Sequence, residues 1–205
     1  MSNSVPEPGL VLAPMAPADG AAVRLFCLTT IREAFGYDYR PDWHADLDEL
    51  VDPVHGYHPA RRGAFLVARW GGEIVACGGL RSLITSRLLV ARFVPRYGDA
   101  RSVGSIWRVY VRPELRSRGL GSRLALGLEL EASRHGYDRL YLHTSARTPR
   151  SVAFWQRQGY EPFSHDAGSF DSTIHLDKHV GDGIDLRLAG QPARSALRVP
   201  LGPAR

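Results

Sequence analysis

Arg116-Ser117-Arg118-Gly119-Leu120-Gly121 is the stretch of this 205-residue chain whose residue types and spacing could do chemistry. Two glycines two positions apart let the backbone turn sharply. If a helix begins there, its first amides have no intrahelical acceptor and carry the positive end of the helix dipole. Arg112, Arg116, Arg118 and Arg123 add fixed charge, which suits a polyphosphate better than a single carboxylate. A cofactor with a pyrophosphate is therefore the expected ligand. Two familiar phosphate loops do not fit. A Walker loop needs Gly-Lys-Ser/Thr, and the single lysine is Lys178. A dinucleotide fingerprint needs three glycines beginning at the strand end, and here Leu124 holds the third place.

The turn must be held by a strand before it and a helix after it. Ser105 to Val111 reads as a strong strand, which Pro113 stops because proline has no amide hydrogen for the ladder. Arg116 to His135 is helical by Leu120, Leu124, Leu128 and Ala132 at intervals of four, and Gly136 fits the left-handed closing position. Arg139 to His143 follows as a strand, giving a right-handed βαβ crossover with parallel strands. Thr148-Pro149 opens another helix, with Thr148 as N-cap, and Gly159 ends it. Tyr160 to Phe163 and Ser169 to Leu176 read as an antiparallel pair.

Upstream, Val11 to Met15 reads as a first strand. Val23, Phe26, Cys27, Thr30, Ile31 and Ala34 give one apolar helix face that Gly36 ends. A second helix is expected from Pro41-Asp42, capped by Asp42, with Trp43, Leu47, Leu50, Val51 and Val54 on one face and acids on the other. Ala64 to Trp70 and Glu73 to Leu80 flank Gly71-Gly72 as a hairpin, and Gly78-Gly79 suggests a bulge or close backbone approach. Residues 81 to 104 mix apolar residues with five arginines and Pro95, and stay open between a strand pair, a short helix and a loop. Met1 to Gly9 reads as a flexible terminus, 10–180 as one domain, and 181–205 as an extension or loosely held tail, with an extra strand over the alternating Ile184, Leu186 and Leu188 as the alternative.

Composition narrows the partners. With 44% hydrophobic and 23% charged residues the chain can bury a core, and no stretch approaches the roughly 20 apolar residues of a membrane span. A soluble cytoplasmic protein is expected. Cys27 and Cys77 lie in apolar runs without partner spacing, so neither a zinc cluster nor a disulfide framework follows, and no metal is expected; His55 and His58 read as surface residues. The net charge of +5 is uneven: residues 101 to 157 hold 11 Arg against 4 acids. Between Glu33 and Asp52 stand seven acids and one Arg, a field that would attract a cationic amine. The alternative is an ordinary solvated helix face.

Positions 109 to 124, Val-Tyr-Val-Arg-Pro-Glu-Leu-Arg-Ser-Arg-Gly-Leu-Gly-Ser-Arg-Leu, resemble the acetyl-CoA signature Arg/Gln-x-x-Gly-x-Gly/Ala of the GNAT superfamily of N-acetyltransferases. Positions 148 to 160, Thr-Pro-Arg-Ser-Val-Ala-Phe-Trp-Gln-Arg-Gln-Gly-Tyr, resemble that family's second block. The element order from 11 to 176 is similar too. The resemblance implies a mixed α+β fold: a central mixed sheet of about six to seven strands flanked by about four helices. It implies acetyl-CoA as co-substrate, with the backbones of Val109 and Val111 on the pantetheine arm. The amides of Arg116, Ser117, Arg118, Gly119, Leu120, Gly121 and Ser122 would hold the pyrophosphate, with Thr148, Ser151 and Trp155 as further cofactor contacts. The Val109 amide would polarise the thioester carbonyl.

Two departures from the family pattern stand out. Trp155 replaces the tyrosine that usually protonates the leaving thiolate, although an alkyl thiol of pKa roughly 8.5 can leave without full protonation. Ser105 replaces a glutamate that serves many members as base. Tyr110, His143 or an acid from 38 to 52 are the substitute candidates, with His143 also readable as a satisfied strand residue. The implied function is acetyl transfer to a primary amine, a cationic small molecule or a peptide. The competing reading is a GNAT-like module that binds acyl-CoA without turnover, as a sensor or interaction domain. Nucleic-acid binding is disfavoured because an anionic cofactor already accounts for the basic segment. A homodimer is left open.

Overall fold

The computed structural model describes residues 9–180 and 197–199. Among these residues eight strands form one sheet: β1 (Leu10–Pro14), β2 (Ala64–Trp70), β3 (Glu73–Ser82), β4 (Val103–Val111), β5 (Arg139–Ser145), β6 (Glu161–Asp166), β7 (Thr173–His179) and β8 (Leu197–Val199). Their spatial order is β6-β7-β5-β4-β3-β2-β1-β8. Only β4 and β5 are parallel; every other pairing is antiparallel. Among the described residues the α-helices are α1 (Gly20–Phe35), α2 (Pro41–Asp48), α3 (Arg87–Tyr97), α4 (Leu120–Arg134) and α5 (Pro149–Arg157).

Strand alternation sorts the helices into two layers. In β2, Phe65 and Val67 meet Val23, Cys27 and Ile31 of α1, whereas Leu66 and Ala68 join Leu124 and Leu128 of α4. In β5, Leu140 and Leu142 share that α4 side with Trp155 of α5, and Tyr141 turns the other way to Phe93 of α3. So α4 and α5 cover one face, and α1, α2 and α3 the other.

The fold matches the expected mixed α+β class, with local differences. The open segment 81–104 holds α3, the fifth helix, with Pro95 in its last turn. Helix α2 ends at Asp48, so Leu50, Val51 and Val54 fall in turns, and Val51 and Val54 are 47% and 58% exposed. The Asp52 carboxylate accepts the Val54 amide at 2.9 Å, a side-chain turn that competes with helix. Asp42 is not a cap: it sits in the first turn and pairs with Arg40. Thr148 stands at the N-cap of α5 without a capping side-chain bond. In the C-terminal extension, β8 pairs with β1 through Leu10↔Val199 and Leu12↔Leu197. Ile184, Leu186 and Leu188 lie outside the described residues.

One ion pair crosses from sheet to helix. Lys178 Nζ of β7 lies 3.0 Å from both Glu129 oxygens of α4, with the side chains 11% and 6% exposed. Burial pushes the Glu129 carboxyl up in pKa, against the pull of Lys178. Removing one partner strands a buried charge. Lys178→Met should therefore lose about 3–5 kcal/mol in urea unfolding, and Glu129→Leu/Lys178→Met should recover most of it.

Candidate active site

Strands β4 and β5 pair at Val103↔Arg139, Gly104↔Leu140 and Ser105↔Tyr141 and then part, although β4 continues to Val111 and β5 to Ser145. The parting begins where β4 is bulged. Cys77 faces Tyr110 and Gly79 faces Trp107, so Arg108 and Val109 together oppose Gly78. Arg108 has φ of +54°, a left-handed conformation that costs an ordinary residue about 1–2 kcal/mol. Its side chain offsets that strain. Nε and Nη2 donate to Asp46 Oδ2 and Oδ1 at 3.0 and 2.6 Å, and Nη2 also donates to the Trp43 carbonyl at 2.6 Å. Tyr57 Oη donates to Asp46 at 2.6 Å. Burial alone would raise the Asp46 carboxyl, but the bonds from Arg108 and Tyr57 hold it below the usual range, so it stays ionised. A Cβ on Gly78 would stand 3.0 Å from Leu128 Cδ1 and 3.2 Å from Val109 Cγ2, so only glycine lets α4 pack this closely on the bulge.

Beyond β4 the chain turns through Ser117 at φ +62° and Gly119 at φ +80° into α4. Arg123 N–H to Gly119 O, at 3.1 Å, is the first bond of the helical pattern. It leaves the amides of Leu120, Gly121 and Ser122 without helical acceptors. Arg116 Nε donates to Val111 O at 3.1 Å, tying the turn to the strand end. Arg118 Nε and Arg123 Nη1 are sealed from water and have no partner among the described residues. Sealed donors beside open amides are what a diphosphate would satisfy. Gly121 lets α5 close on the turn, since a Cβ there would come 3.2 Å from Phe154. Ser122 Oγ accepts from Gln158 Nε2 of α5 at 3.1 Å, and Ser151 sits in the first turn of α5. The structure thus gathers Val109, Val111 and residues 116–122 at the parted strands. It does not bring Trp155 there: that ring is 6% exposed, packed in the core between Phe154 and Tyr160.

His143 on β5 opens onto the gap, its ring 5.2 Å edge-to-face from Trp107. The protein packed around it, His175 and Arg108 push its pKa down to about 4, so it is neutral at pH 7. Behind it runs a hydrogen-bonded chain that sequence reasoning missed. His143 Nδ1 lies 3.3 Å from Tyr141 Oη, which lies 2.8 Å from His175 Nδ1, and His175 Nε2 lies 3.1 Å from Asp166 Oδ2. Arg92 pairs with Asp166 and, with His175, brings its carboxyl down to about 2. Polarity then assigns the protons. The ionised Asp166 can only accept, so His175 donates from Nε2 and accepts at Nδ1 from Tyr141. Tyr141 accepts from His143 Nδ1–H, which leaves the bare lone pair of His143 on Nε2. Tyr110, pushed up to about 12 by burial, stays a phenol and is no base.

The outer wall joins α1 and α2 to the β6–β7 connection. Tyr37, Trp43 and Phe170 pack with ring centres 5.5–5.7 Å apart, and Tyr37 Oη donates to Asp171 at 2.8 Å. The acidic run is largely paired: Asp38, Asp42, Asp46 and Asp48 with arginines, Glu49 and Asp52 with His55.

The Acetyltransferase (GNAT) family model matches residues 28–160. The chain is 26% identical over 133 residues to the uncharacterized N-acetyltransferase YjgM of Escherichia coli K12, covering 65% of this chain and 70% of that protein. It is 28% identical over 155 residues to an IAA acetyltransferase of Azospirillum brasilense, covering 75% and 85%. Its fold is similar to yncA, a putative acetyltransferase of Salmonella typhimurium solved with acetyl-CoA, with TM-score 0.63, 15% identity, and 85% and 95% of the chains covered.

The turn geometry yields a test. Gly119→Ala must hold alanine at φ +80°, costing about 1 kcal/mol, so coenzyme A should bind about fivefold more weakly by calorimetry while the fold persists.

Proposed function

The chain belongs to the GNAT family of acetyltransferases, and on that premise we propose that it transfers an acetyl group from acetyl-CoA to a primary amine. The observation that carries the reading is the gap between β4 and β5 ending on a turn where the amides of Leu120, Gly121 and Ser122 and the sealed nitrogens of Arg118 and Arg123 have no partner among the described residues. Residues 116–122, with Arg118 and Arg123, would hold the pyrophosphate, and the backbone of Val109 and Val111 the pantetheine arm. Thr148 and Ser151, at the start of α5, border the same turn. When bound, acetyl-CoA supplies an activated acyl carbonyl on a thiol leaving group.

The chain's own residues prepare the amine and the carbonyl. The Val109 amide is the oxyanion donor on the bulge. The amine attacks in its neutral form, and the His143 Nε2 lone pair beside the gap takes the proton its nitrogen sheds as it bonds to the acyl carbon, while Tyr141, His175 and Asp166 fix the tautomer. Tyr110 contributes as a neutral phenol beside the bulge. The acceptor is an amine of a small molecule or peptide, cationic before it gives up its proton. With the acidic run largely paired, selectivity for polycations over monoamines should be small.

A second reading, binding of acyl-CoA without turnover, is favoured by Trp155 in the core where the family's acid would stand and by Ser105 without a carboxylate. Thiol release with a panel of amines separates the two. Release with at least one amine supports transfer, and coenzyme A binding without release for any amine supports the sensor.

His143→Gln should lower kcat about 10²-fold or more, with the KM for acetyl-CoA within about twofold of wild type.

A further inference from the structure

Arg81, near the end of β3, pairs in register with Ser105 of β4. Its guanidinium carbon lies 5.2 Å from the centre of the Tyr57 ring and 5.4 Å from that of Trp107. A Cβ on Gly56 would come within 2.4 Å of its Nε. The group is thus wedged between two aromatic rings and a glycine, which fixes the direction of its planar fork. Arg81 is half-buried, and its Nε is sealed from water without a hydrogen-bond partner among the described residues.

Other arginines of the chain show what such a group ordinarily finds. Arg108 takes both oxygens of Asp46, Arg96 and Arg139 share Asp177, and Arg62 reaches three backbone carbonyls. Arg81 has no such acceptor among the described residues. The acid whose charge it feels, Asp46, already accepts from Arg108 at Oδ1 and from Arg108 and Tyr57 at Oδ2. Ser105 Oγ and Trp107 Nε1 project from the neighbouring strand on the same face, and both are sealed and unpartnered as well. A polar group left so loses its water without gaining a bond in return. Three at adjoining positions mark a place where hydrogen bonds are to be supplied from outside the chain. The Trp107 ring is also what His143 packs against, so this place and the proposed base share one wall.

We propose that Arg81 binds a carboxylate of the acceptor, with Trp107 and Ser105 as donors at the floor of the subsite, so that the acceptor is an amine that also carries a carboxylate, an amino acid in chemical class. This rests on the proposed acetyl transfer. The planar fork meets a carboxylate through two parallel N–H···O bonds, a geometry that a point cation such as lysine cannot reproduce. Its placement beside Trp107 puts the anion and the amine of one zwitterion on the two sides of a single indole.

Thiol release measured with the free amino acids, their carboxamides and their decarboxylated amines tests the assignment. For wild type, kcat/KM should favour the best amino acid over its own carboxamide by about 10- to 100-fold. Arg81→Gln should bring that ratio close to one by slowing the carboxylate substrate, and Arg81→Lys should leave an intermediate ratio. Coenzyme A affinity by calorimetry reports that each variant is folded; should Arg81→Gln fail that check, the wild-type and Arg81→Lys ratios decide. A wild-type ratio near one, or a ratio that survives in Arg81→Gln, overturns the carboxylate subsite while leaving acetyl transfer standing. Coenzyme A binding with no release for any amine overturns acetyl transfer and this assignment with it.

Discussion

Two parallel strands that share hydrogen bonds over three residues and then separate are the constraint from which the rest of the molecule follows. A strand edge without a neighbour is a row of unmet donors and acceptors, which a folded chain usually covers. Here β4 beyond Ser105 keeps such an edge inside the protein, between helical layers and next to a turn that is itself rich in unmet amides. An extended ligand with amide groups along its length and a diphosphate at its end matches that sequence of needs. The sheet continues on either side, through β3 and through β7, so the opening is local.

The gap needs a cause that persists without ligand, and the bulge at Arg108 supplies it. An inserted residue in the left-handed region would relax if nothing restrained it. The Asp46 carboxylate, itself fixed by Tyr57, grips the guanidinium with two bonds, and a helix carbonyl adds a third acceptor. One buried ion pair therefore links α2 to the shape of β4. The same pair neutralises the acid of the 38–52 run that lies deepest, which is why a strongly acidic sequence segment produces a modest field in the folded protein.

Much of this was legible in the residues. The strand-turn-helix of 105–135 follows from proline, paired glycines and a leucine repeat, and those signals are local. The hairpin and the bulge at Gly78-Gly79 are local as well. What the sequence hid is long-range. Nothing in the spacing of Asp46 and Arg108, or of Tyr141, His175 and Asp166, says that the sheet register will make them neighbours. Helix α3 was obscured because its apolar residues cover one end of the sheet only, with Leu88 left 85% exposed, so the repeat is diluted by arginines. Helix α2 was read too long because a run of turns that buries Leu50 mimics a helical face.

The lone lysine has a chemical consequence. Lys178 is the chain's single ε-ammonium group, and it lies clamped between two carboxylate oxygens beneath α4. A protein of this family works beside a reactive thioester, to which any free ε-amine nearby is a rival nucleophile. With arginine carrying its surface charge, this chain shows that electrophile guanidinium groups, which stay protonated at all working pH values and do not compete. Its basic surface is thus inert to the reagent it is proposed to handle, and side-chain self-modification through an ε-amine has no exposed starting point.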